Sequence, residues 1–156
     1  IALSFAFAVI GSFVALSAAT RLYAGKGRLD WINVLAVGVA LGGVGVWSMH
    51  FIGMLALRMD VGSSYSMLET FTSLAVAVAA TAGSVAMAAR RPDSLPRLLI
   101  AGFLLGMSVV VMHYLGMYGM RFGGLLEWAT PVVVASVLIA FVAATVLAVH
   151  RLQWAR

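Results

Sequence analysis

The sequence contains no cysteine, which excludes disulfides, thiolate metal sites and a cysteine nucleophile. It is also poor in charge. Charged residues are 10% of the chain, whereas a soluble domain carries about 25%. Hydrophobic residues reach 63%, and the mean hydropathy is +1.08. So little polar surface cannot cover a water-soluble globule, and the chain belongs in a bilayer. No soluble domain and no low-complexity segment stand out. The chain starts at Ile1, with neither an initiator Met nor the basic n-region of a signal peptide; it reads as an excised piece. The net charge is +5 and the pI near 10.5. The basic residues sit in short loops between apolar runs. Membrane topology explains them, and no nucleic-acid partner is expected.

An apolar stretch of about 20 residues reads as a membrane helix. Five are predicted: Ala2 to Ala19, Ile32 to Leu57, Phe71 to Ala89, Leu98 to Met120, and Trp128 to Val149. Each is too long for a strand. The expected fold is all-α, a polytopic bundle of five transmembrane helices. Cytoplasmic loops are enriched in Lys and Arg. Eight basic residues fall on one side: Arg21, Lys26, Arg28, Arg90, Arg91, Arg97, Arg151 and Arg156. Two, Arg58 and Arg121, fall on the other, with Asp60, Glu69 and Glu127. This asymmetry predicts Ile1 outside and Arg156 in the cytoplasm.

The chain also repeats itself. Ser4 to Arg21 and Ser73 to Arg90 share length and texture, and Ser136 to Arg151 is a shorter version. After the first two come a basic loop and a Gly-rich helix carrying Met-His-aromatic-aliphatic-Gly-Met. The two copies are Met49 to Met54 and Met112 to Met117, 63 residues apart. Gly43 and Gly53 match Gly106 and Gly116 at the same offset. The repeating unit is a helix pair, present in two and a half copies. Residues 1–156 are therefore expected to be one domain cut short of a sixth helix. By the same counting, a third Met-His motif should follow Arg151, its histidine falling about 23–29 residues on.

Residues four apart share a helical face, so His50 aligns with Met54 and His113 with Met117. Each histidine lies eight residues from the arginine closing its helix, Arg58 or Arg121. At about 1.5 Å per residue, both imidazoles sit at one depth. Thioether and imidazole are soft and borderline ligands that suit copper, above all Cu(I), far better than Mg or Ca. No carboxylate or thiolate lies nearby to make an ordinary zinc site. The candidate metal ligands are His50, Met54, His113 and Met117, with Met49 and Met112 as alternates. Tyr114 and Tyr118 are candidates to offer a hydroxyl around them. Gly53 and Gly116 leave room for a helix or ligand one turn from each histidine.

Packing roles compete with this reading. A lone histidine in a membrane helix often bonds a neighbour, methionine fills gaps, and Gly38-x-x-x-Gly42 and Gly102-x-x-x-Gly106 fit close helix contact. Two copies at equal depth favour a ligand role, because polar groups inside a membrane are costly. His150, beside Arg151, reads as a solvated or capping residue. Trp31, Trp47, Trp128 and Trp154 read as an interfacial belt, with Trp47 near enough to line the site.

The strings Trp47-Ser-Met-His-Phe-Ile-Gly-Met54 and Val111-Met-His-Tyr-Leu-Gly-Met117 resemble the motifs of the bacterial MHYT domain, and the resemblance covers essentially the whole chain. Both copies depart from the four-letter signature: Ile52 and Leu115 replace Thr, and Phe51 replaces Tyr in the first. The resemblance implies a sensory module of the bacterial inner membrane that binds copper near the outer face through Met and His. Through the metal it would sense oxygen, carbon monoxide, nitric oxide or redox state. It also implies a cytoplasmic GGDEF or EAL output domain and cyclic di-GMP signalling. Nothing in this chain is equipped for nucleotide chemistry, so it is not expected to be an enzyme. The alternatives are a copper or proton transport protein, a haem protein with His50 and His113 as axial ligands, and a passive membrane anchor or homodimerisation module.

Overall fold

The computed structural model describes residues 2–24, 28–56, 63–91, 93–122, 130–135, 137–139, 141, 142 and 146. Helix α1 spans Ala2–Ala19, α2 spans Trp31–Leu55, α3 spans Met67–Arg90 and α4 spans Leu95–Tyr118. All four are long and apolar enough to cross a membrane. A further apolar helix, α5, covers Thr130–Ile139. The predicted fifth run reaches Val149, and its remainder lies largely outside the described residues, as do His150 and Arg151. The chain is thus an all-α membrane bundle, as its hydropathy requires.

Helix starts lie at polar residues upstream of the apolar runs, and at α2 a side-chain cap fixes the start. Asp30 caps α2, its carboxylate accepting from the amides of Ile32 at 2.9 Å and Asn33 at 3.5 Å. The extended Ser66 and Ser94 precede α3 and α4. Helices α3 and α4 therefore begin before Phe71 and Leu98, the predicted starts. Helix α4 also stops at Tyr118, short of the predicted Met120. The reason is a strand pairing invisible to hydropathy. Strand β3 (Ser63–Tyr65) runs antiparallel to β4 (Met120–Phe122), in the register Ser63↔Phe122, Ser64↔Arg121 and Tyr65↔Met120. At the opposite end β1 (Tyr23–Ala24) pairs with β2 (Arg28–Leu29). The Tyr23 hydroxyl donates to the Ala89 carbonyl at 2.6 Å, and the Arg90 guanidinium sits 5.4 Å over the Trp31 ring. The bundle thus has a basic end and a motif end.

Helix α1 packs on α2, α2 on α3, and α3 on α4. Phe141 meets Phe103 of α4 with ring centroids 5.9 Å apart. Without a hydrophobic drive between helices in lipid, close backbone approach does the work. A Cβ on Gly42 would run into the Ala77 carbonyl of α3, and one on Gly11 would strike the backbone at Gly45. Gly38 and Gly42 thus have the contact role their spacing suggested. The buried cluster at the basic end is correspondingly small-grained: Ala15, Val34, Val37, Ala40, Ala86 and Ala89, with Leu22.

One stretch departs from the helical period assumed for the sequence. Between Gly38 and Trp47, α2 is wound as a π-helix, with α-helix before it and after it. The amide of Ser48 bonds the Gly43 carbonyl, five residues back, and the Ser48 hydroxyl donates to the same oxygen at 3.1 Å. Its counterpart in α4 is α-helical throughout. The two motif helices are therefore equivalent only from the motif outward. π-helical turns are uncommon and frequently adjoin functional sites.

Candidate functional site

The motif residues Ser48–Leu55 are α-helical, so the spacing argument holds where it is needed. His50 lies five residues before the end of α2 at Leu55, and His113 five before the end of α4 at Tyr118. Both helices rise in the same direction, so the two histidines arrive at one level. They meet there. His113 Nδ1 is 3.3 Å from His50 Nδ1, with ring centroids 4.6 Å apart and planes at 61°. One nitrogen must donate and the other accept, so the two rings hold opposite tautomers. Whichever way the proton lies, His50 Nε2 is buried without a hydrogen-bond partner. An unpaired polar atom in the core of a membrane bundle is costly and marks a functional candidate.

Gly116 makes the meeting feasible. A Cβ there would stand 3.3 Å from His50 Nε2 and 3.7 Å from His50 Cδ2, so the imidazole of α2 rests on bare backbone of α4. The partner glycine is different: a Cβ on Gly53 would have nothing within 4 Å. The two motifs are alike in sequence and unlike in surroundings.

The methionines divide. Met54 and Met112 are buried, Met112 to 1% exposure. Met117 is half-buried, one turn beyond His113. Met49 is exposed at 36%, and its carbonyl accepts from the Ser4 hydroxyl of α1 at 2.8 Å. Of the two alternates, Met112 is the interior one. Tyr118 is well exposed, while Tyr114 lies edge-on to His113 with centroids 5.0 Å apart.

Trp47 is half-buried beside the motif and turns its polar edge into the bundle. Its indole Nε1 donates to the Ser73 hydroxyl at 2.9 Å, and that hydroxyl donates to the Thr70 carbonyl at 2.7 Å. Ser73 is fully buried. Trp47 also stacks on Phe51 at 5.0 Å, and Phe51 meets Tyr65 of β3 at 5.0 Å. Trp31 is exposed beside Arg90, as a belt residue would be. Trp128 and Trp154 lie outside the described residues. The fold makes Ser73, Glu69 and Tyr65 neighbours of the motif helices. A signal existed for Glu69: Ser66-x-x-Glu69 has the spacing of a capping box.

The pair passes a simple fit test for a metal. Two ring nitrogens on one tetrahedral ion, each about 2.0–2.1 Å from it, lie about 3.3–3.4 Å apart. The observed 3.3 Å agrees. Among the described residues no three His, Cys, Asp or Glu side chains gather, and the other soft donors the motifs carry are thioethers. That set suits a soft ion. Axial haem ligands stand trans across the metal, about 4 Å apart at the same bond lengths. The histidine nitrogens are closer than that, with no gap for a macrocycle.

The MHYT family model, described as "Bacterial signalling protein N terminal repeat", matches residues 43–101 and 106–153. Its two copies start 63 residues apart, the offset of the motifs, and each begins within a motif helix rather than before it. The chain is 35% identical over 119 residues to the bifunctional diguanylate cyclase/cyclic di-GMP phosphodiesterase MucR of Pseudomonas aeruginosa, covering 75% of this chain and 17% of that protein. It is 34% identical over 147 residues to the cyclic di-GMP phosphodiesterase NbdA of the same organism, covering 92% and 18%. It is 30% identical over 117 residues to the signaling protein YkoW of Bacillus subtilis, covering 75% and 14%. The chain thus spans less than a fifth of the length of these relatives. No solved structure matches it.

Proposed function

The chain belongs to the MHYT family of bacterial signalling repeats, and on that premise we propose that it senses copper, or a diatomic gas or redox state through copper, at the His50–His113 pair. It is a multi-pass membrane signalling domain and not itself an enzyme. The reading places the motif end outside and the basic end in the cytoplasm, with an output domain there that makes or degrades cyclic di-GMP. The support for that output is the naming of the relatives MucR and NbdA.

The observation that carries the metal reading is the 3.3 Å approach of two imidazole nitrogens beside an unpartnered His50 Nε2. His50 and His113 would hold the ion, with one of Met54, Met112 and Met117 as the thioether donor and Met49 the weakest candidate. A cuprous ion with neutral ligands would supply an open coordination position for oxygen, carbon monoxide or nitric oxide. The chain's own contribution is to bring both rings to one point and to surround them with apolar helix; the proton that the two Nδ1 atoms share would be displaced by an ion held by both.

The test is copper content after reconstitution with Cu(I). Elemental analysis of purified protein should find the metal in wild type and little in the His50→Ala/His113→Ala variant. Equal copper in the two would refute the assignment. A Soret band in the purified protein would favour haem instead. The same contact would also pass a proton between the rings, and proton uptake by reconstituted vesicles, lost on His50→Ala, would support transport.

A further inference from the structure

Helices α2 and α4 share little surface with one another. Helix α4 packs chiefly on α3, and α2 lies between α1 and α3. What, then, brings two imidazoles on separate helices to 3.3 Å? The segments following the two motif helices are joined at the motif end by the β3–β4 pairing. The Ser66 amide adds a bond to the Gly119 carbonyl at 2.8 Å. Glu69, in the first turn of α3, gathers the pieces. One carboxylate oxygen accepts from the Ser66 hydroxyl, next to β3. The other faces Arg121 Nη2 of β4 at 3.4 Å. Its Cβ lies so close to Gly119 that a side chain there would collide at 2.8 Å. Glu69 is 17% exposed and Arg121 65%. One carboxylate therefore ties β4, just beyond α4, to Ser66, the residue between β3 and α3.

We propose that Glu69, through Arg121, is the positioning residue that sets the His50–His113 approach, and that release of this clasp separates the two rings. As a means of controlling ligand binding this rests on the metal reading above. The geometric claim does not, and it is tested without metal. The chain has three histidines, His50, His113 and His150, so ring-nitrogen-labelled protein in bilayers gives few signals, assignable by single substitutions. Solid-state NMR should show a cross-peak between the Nδ1 atoms of His50 and His113 in wild type.

Arg121→Glu sets two carboxylates against each other and should abolish that cross-peak, while Arg121→Lys should keep it. Directly opposed residues of antiparallel strands lie about 4.5–5.5 Å apart, within disulfide reach. The Ser64→Cys/Arg121→Cys variant should therefore show the cross-peak when oxidised and lose it on reduction. A folding defect would not reverse this way. A cross-peak that survives in Arg121→Glu and in the reduced double variant, or that is missing from wild type, overturns the proposal. A clasp that behaves as stated in a protein that binds no copper would refute only the metal reading.

Discussion

The imidazole of His50 rests on Gly116: a Cβ at that glycine would stand 3.3 Å from His50 Nε2. The contact crosses from α2 to α4, and it joins one motif's histidine to the other motif's glycine. It explains how two helices that share little other surface can present their histidines nitrogen to nitrogen.

Gly116→Ala should therefore displace the His50 ring by a few tenths of an ångström and weaken copper binding about tenfold, or about 1.4 kcal/mol. Gly53→Ala is the internal control, because a Cβ there meets nothing within 4 Å. Its copper affinity should match wild type. Equal losses in the two variants would show that the glycines serve the helices generally and not the pair.

Ser73→Ala removes the acceptor for the Trp47 indole at a fully buried position. The expected cost is about 0.5–2 kcal/mol, the range for an unsatisfied buried donor tempered by the modest hydrogen-bond energies found in membranes. Thr72→Ala, on the exposed side of the same helix, should change stability by a few tenths at most. Unfolding of both variants in detergent by a denaturing surfactant measures the difference.

Burial pushes the Tyr65 phenol above its ordinary value, since desolvation disfavours the phenolate. The sign follows. The folded state keeps the proton more tightly than the unfolded state, so this contribution is fully present below the unfolded value of about 10 and is lost as pH rises through the folded one. Ultraviolet titration should find a late-ionising component that is lost in Tyr65→Phe, and that variant should be less sensitive to alkaline pH. A titration unchanged by the substitution would contradict it.

Single cysteines introduced at Ser64 and Ser94 should differ in intact cells. An impermeant thiol reagent is expected to label the first and spare the second, because Ser64 is at the motif end and Ser94 at the basic end. The reverse labelling would invert the topology.

Much of the site was legible in the residues. His50 and His113 stand out because charge and polarity are so scarce around them, and the 63-residue repeat places them at equal depth by arithmetic alone. The methionines were harder to rank. Met49 and Met112 occupy the same motif position, yet one is exposed and the other is among the most buried side chains described. That difference depends on which helix covers each face, and a repeat in sequence does not carry over to its neighbours.

Length and hydropathy by themselves determined the membrane helices, because lipid admits only segments that satisfy their own backbone. Repetition determined that two histidines would share a level. Tertiary structure alone decided that they touch. The π-helical turns of α2 reset its facing relative to the 3.6-residue period, the β3–β4 pairing joined the segments that follow α2 and α4, and Gly116 left room for the His50 ring. Each depends on contact between segments far apart in the chain, and helical periodicity registers only neighbours within about four residues.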